Sequence, residues 1–332
     1  MLDCQKDKFS LEDGFTYLNC AFMGPLPKAV EAAAQKGILQ KKQPYLMKGS
    51  DFFEEMEEVR EVYARIINVK DPKRIVKISA SSYGIAVVTH NISITSDENI
   101  ILVDEQFPSN FYSWKRLATE NNAELRTVKA PQDSFERGKN WNLRILEAID
   151  SKTKAVSMPH VHWADGTLFD LMAVRKRCDE VGALLIIDGT QSVGALPFDV
   201  EKIRPDALIC AGYKWLMAPY STGLAYFGSY FDGGKPIEEN WINRFESENF
   251  AALVNYQEEY QAGALRYEVG EHSNFILLPM LHQALKCIES WGVQNIQDYC
   301  ESITKDAIIK LKNTGFEIED PSYRSNHLFG VR

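Results

Sequence analysis

The chain has 332 residues, 45% of them hydrophobic and 25% charged, with a formal net charge of −9. That is long enough for one large and one smaller domain around a substantial core, and the composition is that of an ordinary soluble globular protein. The absence of a basic tract argues against a nucleic-acid surface. No apolar run approaches a membrane span, and Met1-Leu-Asp-Cys-Gln-Lys-Asp-Lys lacks the apolar core of a signal peptide.

In chain order, residues 1–25 read as irregular, ending in a loop marked by Gly24, Pro25 and Pro27. Pro27 opens a helical stretch to about Lys42. A second helix carries Phe52, Met56, Val59, Tyr63 and Ile66 at spacings of three and four, facing a core or a partner subunit. Residues 74–78 form a candidate strand, followed by Ser79-Ala-Ser81-Ser82-Tyr-Gly84 and a helical stretch over 85–94. Small hydroxyl residues between a strand and a helix amino terminus suit a phosphate, because unpaired N–H groups and the helix dipole favour an anion there. Read alone, a serine at that position is usually only a cap.

Residues 99–103 are the next strand, and Phe107-Pro-Ser-Asn110 follows its end. An aromatic so placed can lie on a flat cofactor, or simply pack before the Pro108 turn. A helix to about residue 121, a strand over 125–128 and a looped segment over 132–139 come next. Residues 154–158 are a further strand, ending in Pro159-His160-Val-His162-Trp163-Ala-Asp165. His160 and His162 project to opposite faces of an extended segment, so no metal site is expected there. The six cysteines (Cys4, Cys20, Cys178, Cys210, Cys287, Cys300) also lack metal-ligand spacing and read as reduced thiols of a cytoplasmic protein.

After a helix over 170–181 comes the stretch around which the chain is organised, residues 184–227. Leu184-Leu-Ile-Ile-Asp188-Gly-Thr-Gln191 is one apolar run ending in a carboxylate. Ala207-Leu-Ile-Cys-Ala-Gly-Tyr213-Lys214 is a second, ending in a lysine, and Thr222-Gly-Leu-Ala-Tyr-Phe227 is a third. In an α/β sheet ligands sit outside the carboxyl ends of the strands, so Asp188 and Lys214 are expected to face one crevice. That pair suits pyridoxal 5'-phosphate. A lysine amine holds the aldehyde as a Schiff base, and a buried carboxylate keeps the pyridine nitrogen protonated. No G-x-G-x-x-G, P-loop or serine nucleophile elbow competes with this reading.

About seven strands with helices between most of them imply an α/β fold built on a doubly wound, mainly parallel seven-stranded sheet. Beyond Pro236 the texture changes. Residues 236–262 are acidic and irregular, Leu265-Arg266-Tyr-Glu268-Val-Gly270 follows, and two long helices cover 275–291 and 293–313. Residues 327–332 read as a strand with nothing after it. The expected division is an N-terminal segment (1–25), a large cofactor-binding domain (26–245) and a small C-terminal α+β domain (246–332) that reads as truncated.

On these residues the chain, over roughly 15–332, resembles the class V aminotransferase family of fold-type I pyridoxal-phosphate enzymes. That family includes cysteine desulfurases, selenocysteine lyases, kynureninases and isopenicillin-epimerase-like proteins. The resemblance implies that Lys214 forms the Schiff base and shuttles protons at the α-carbon. It likewise implies that Asp188 pairs with the pyridine nitrogen and that Gln191 lies near the cofactor's phenolic oxygen. Ser81 and Ser82 take the place of the phosphate-binding hydroxyls, Phe107 that of the ring-stacking aromatic, and Tyr213 resembles a kynureninase tyrosine that reaches the phosphate. The Arg266 motif is similar to one that lies near the neighbouring subunit's cofactor, which implies a homodimer. Glu271, Ala211 and Trp163 depart from the family's usual residues.

No residue matches the family's carboxylate-binding arginine, and no cysteine occupies the desulfurase loop. The expected function is therefore pyridoxal-phosphate chemistry at the α-carbon of an amino acid or amine, by transamination or Cα/Cβ lyase chemistry. The alternative is a non-catalytic relative serving as a dimeric binding module.

Overall fold

A computed structural model describes residues 2–132 and 136–332. Seven strands run in the spatial order β1-β7-β6-β5-β4-β2-β3: β1 (Ile75–Ile78), β2 (Asn99–Val103), β3 (Glu124–Val128), β4 (Thr153–Pro159), β5 (Leu184–Asp188), β6 (Ala207–Ala211) and β7 (Gly223–Phe227). Strand β7 is antiparallel to both its neighbours; every other pairing is parallel. The mainly parallel sheet expected from the apolar runs is what the chain forms.

Near-continuous apolar strands bury both faces, and successive side chains feed two cores. Leu185 and Ile187 of β5 join one core, Leu184 and Ile186 the other. The first core is covered by α1 (Lys28–Lys42), α2 (Glu54–Ile67), α5 (Arg137–Ala148), α6 (Leu171–Val181) and α8 (Leu277–Trp291). The second lies under α3 (Ser81–His90) and α4 (Tyr112–Glu120), with Ile85, Val88 and Trp114 at its centre. The short α7 (Val200–Ile203) and the long α9 (Val293–Asn313) complete the α-helices among the described residues.

Two local readings change. Residues 137–148, beginning inside the stretch read as a loop, form α5; residues 133–135 of that loop lie outside the described residues. Gly138, Asn140 and Asn142 weaken the helical signal, but Trp141, Ile145 and Ile149, four apart, are all buried in the first core. Residues 327–332, read as a strand, join no sheet. They lie across the loop after β4, where a Cβ on Gly330 would sit 2.4 Å from the Asp165 carbonyl oxygen. Their ladder-like pairing is the exchange of backbone hydrogen bonds between Glu317 and Arg332, at 2.8 and 3.0 Å.

Candidate active site

Strand β5 is the middle strand, and its last residue is Asp188. Strand β6 beside it ends at Ala211, and the chain then turns through Tyr213 and Lys214. The N-terminal segment closes over this turn: Gly24 N donates to Tyr213 O at 2.9 Å. A Cβ on Gly24 would meet Lys214 O at 2.1 Å, so only glycine permits the approach. Between these pieces lies a cleft lined by Ser81, Phe107, Asp188, Gln191, Tyr213 and Lys214 among others. The crevice expected from the two strand ends is therefore present, and both charged groups line it.

Asp188 is 7% exposed and Lys214 5%. Neither side chain belongs to an ion pair among the described residues. Asp188 Oδ1 accepts from Thr190 N at 3.0 Å, while Lys214 Nζ has no hydrogen-bond acceptor among the described residues and lies 5.2 Å from the Phe107 ring centroid and 5.7 Å from that of Tyr213. Burial pushes the Asp188 carboxyl up, opposed by the Thr190 hydrogen bonds and the Lys214 charge. Burial likewise pushes the Lys214 amine down, opposed by Asp188. A buried carboxylate without a cation, facing a buried amine without an acceptor, is a costly arrangement for a chain on its own.

At the other end of the cavity α3 begins with Ser81 and Ser82, and the preceding Ala80 supplies no side-chain cap. The backbone N–H groups of Ser81 and Ser82 donate to no group of the chain among the described residues. Ser81 Oγ lies 3.2 Å from Thr190 Oγ1, which accepts from Ala211 N at 3.1 Å. Ser82 is exposed and does not line the cavity. Gly84 seats the helix on β6, since a Cβ there would lie 2.8 Å from Ile209 Cγ2.

Phe107 faces the cavity with Trp163 edge-on to it, at 5.5 Å and 85°. The Tyr213 ring is tilted by 50° against that of Tyr220, their centroids 4.7 Å apart. The Gln191 amide is tied at both ends, donating to Ala21 O at 3.0 Å and accepting from Trp215 Nε1 at 2.8 Å. Arg266 is engaged inside its own chain, donating to Gly263 O and Gly234 O at 3.1 and 3.0 Å. None of the six cysteines and no arginine lines the cavity. His162 is fully buried against Trp141, and among the described residues no three His, Cys, Asp or Glu side chains converge as a metal site.

Sequence reasoning passed over Thr190 and Gln106. Thr190 joins the Asp188 end to the Ser81 end, and its place two residues beyond Asp188 in the same polar cluster was the available signal. Gln106 also lines the cavity, donates to Asn110 O and Ser157 O at 3.1 Å each, and leaves its buried Oε1 without a partner. Nothing in its spacing marks it.

The family model for aminotransferase class-V matches residues 41–327. The chain belongs to the class-V aminotransferase family. A probable cysteine desulfurase of Methanothermobacter thermautotrophicus is 29% identical over 213 residues, covering 63% of this chain and 52% of that protein. The chain thus spans about half the length of that relative. Among solved structures, the cysteine desulfurase CsdA of Escherichia coli superposes with a TM-score of 0.78 at 19% identity, covering 96% of this chain and 79% of that one. A C-DES variant with glycine covalently linked to its PLP cofactor gives a TM-score of 0.82 at 17% identity, covering 97% and 84%. These establish the fold as that of the pyridoxal-phosphate enzymes. Class-V aminotransferases use pyridoxal phosphate, and the cavity fits it: an amine without an acceptor, a carboxylate without a cation, an aromatic wall and an uncapped helix amino terminus each match one part of the cofactor.

Proposed function

We propose that this class-V aminotransferase is a pyridoxal-phosphate enzyme acting at the α-carbon of an amino acid or amine, by transamination or Cα/Cβ lyase chemistry. The observation that carries the reading is that Asp188 and Lys214 line one cavity, both buried and neither paired. When bound, the cofactor supplies an electron sink that stabilises negative charge at the substrate's α-carbon.

Lys214 would hold the cofactor's aldehyde carbon. Its amine, whose proton affinity burial lowers, would carry a proton to or from the substrate's α-carbon. Asp188 would face the ring nitrogen. Burial raises its carboxyl, and a protonated ring nitrogen would supply the opposite charge it lacks. Ser81 and Ser82, with their free N–H groups, would receive the phosphate. Phe107 would cover one face of the ring, Gln191 would donate to its oxygen, and Tyr213 would close the lysine side. Residues 26–245 would hold the cofactor and residues 246–332 would form the smaller domain.

An amino-acid substrate is supported by the desulfurases among the relatives. A homodimer is supported by the exposed apolar side chains Trp241, Phe245, Phe250, Val254 and Tyr256, close in sequence over residues 241–256, since exposed apolar surface marks interfaces. No helix among the described residues is long and apolar enough to cross a membrane, in keeping with a cytoplasmic location.

The test is a visible spectrum of the protein supplied with pyridoxal phosphate, repeated across a panel of amino acids. A cofactor band that changes with one or a few amino acids supports the enzyme. A band indifferent to all of them rejects it in favour of a binding module.

A further inference from the structure

Gln191 is held at three points by three distant parts of the chain. Its Nε2 donates to Ala21 O at 3.0 Å, its Oε1 accepts from Trp215 Nε1 at 2.8 Å, and its carbonyl faces His327 Nε2 at 2.8 Å. His327 Nδ1 lies 2.8 Å from Gln297 Nε2, which also donates to Ala195 O at 2.5 Å. Gln297 Oε1 accepts from Asn326 N at 3.0 Å. The Trp215 and His327 rings meet edge to face at 4.6 Å and 86°.

The donors fix every ambiguous orientation in this junction. An indole N–H and a backbone N–H only donate, so the atoms facing them are the amide oxygens of Gln191 and Gln297. The nitrogen of Gln297 therefore points at His327 Nδ1, which has to accept. The imidazole proton then sits on Nε2 and goes to the Gln191 carbonyl. A second proton, on Nδ1, would face an N–H and find no acceptor. Burial acts in the same sense, pushing the His327 imidazole down to about 4 and that of its neighbour His160 to about 3. The second hydrogen on Gln191 Nε2 has no acceptor among the described residues, and Gln191 lines the cavity.

We propose that His327 is a positioning residue: through the Gln191 carbonyl and the Trp215 indole it holds the free Gln191 N–H as a donor to a ring oxygen of the bound cofactor. This rests on the pyridoxal-phosphate reading of the cavity. It ties the segment near residue 327 and helix α9 to the electronics of a ring bound between β5 and β6. A donor at that oxygen stabilises its negative charge and weakens its hold on the neighbouring lysine-nitrogen proton.

The experiment is a pH titration of the visible cofactor band in the full chain and in H327F, H327Q and Q297L. H327F keeps an aromatic ring against Trp215 but cannot donate. Its band is expected to titrate about one pH unit higher, a tenfold rise in proton affinity, with kcat reduced more than KM. H327Q, which restores a donor, returns most of the shift. Q297L, which frees His327 Nδ1, moves the band in the same direction by less and carries the test should H327F not fold. A coloured H327F that titrates like the parent overturns the proposal while leaving the cofactor reading intact. A parent that never acquires a cofactor band overturns both.

Discussion

Glu268 and Asp188 are both carboxylates buried within reach of the sheet, and the chain treats them oppositely. Glu268, 1% exposed, is paired with the Arg60 guanidinium of α2, accepts from Lys77 N of β1 at 2.7 Å and lies 3.4 Å from His272 Nδ1. Burial raises its carboxyl, but Arg60 and the other partners outweigh that and hold it down at about 2. Asp188 accepts from Thr190, meets no cation within ion-pair distance, and burial wins. A buried charge with its partners in place is a structural joint. One left without them is where a ligand's opposite charge belongs.

Breaking each half of this contrast gives different outcomes. Lys214→Ala removes the amine opposite Asp188 and is expected to lower turnover by roughly 10²–10⁴-fold, read by steady-state kinetics on whichever amino acid shifts the spectrum. Glu268→Gln removes Arg60's buried charge partner and leaves it only the half-exposed Glu57. It is expected to destabilise the protein by about 3–5 kcal/mol in denaturant unfolding, with the cofactor band of the surviving folded fraction unchanged.

The same carboxyl sets a pH dependence. Glu268's folded value lies below its ordinary 4.5, so its contribution is complete above that pH and disappears as pH falls towards about 2. Acid unfolding of Glu268→Gln should therefore be shallower than that of the parent over this window.

Asp188→Asn is expected to cost about 10²–10³-fold in turnover. It should also make the cofactor-free protein more stable at neutral pH. The sign follows from the raised carboxyl: ionising it in the folded state is unfavourable, so stability is lost as pH rises through the unfolded value of 3.8. A destabilised Asp188→Asn would erase the distinction between the two carboxylates. Phe107→Leu gives the smallest effect. It loses an aromatic contact worth about 0.5–1.5 kcal/mol, so cofactor affinity read by fluorescence titration should fall about two- to tenfold.

The strands and the two strand-end charges were legible because they are local. An apolar run of five residues closed by a polar cluster marks a buried parallel strand and its ligand end. Ser81 and Phe107 were candidates by the same logic, one element further out, and both line the cavity. Helix α5 was obscured where Gly138 and Asn140 interrupt its pattern, although Trp141, Ile145 and Ile149 kept the spacing. The Gln191–His327–Gln297 junction left no trace, because its members come from three regions and no spacing joins them. Arg266 and Glu268 were recognised as a motif, but their contacts with Gly234 and Arg60 depend on chain segments far from it.

The central claim is that the amine of Lys214 and the carboxylate of Asp188 serve the two ends of one cofactor ring. Borohydride reduction of the full chain after addition of pyridoxal phosphate, followed by peptide mass mapping, tests it most directly. The reduced cofactor is predicted on Lys214, with loss of the visible band. Attachment at another lysine, or none at all, would contradict it.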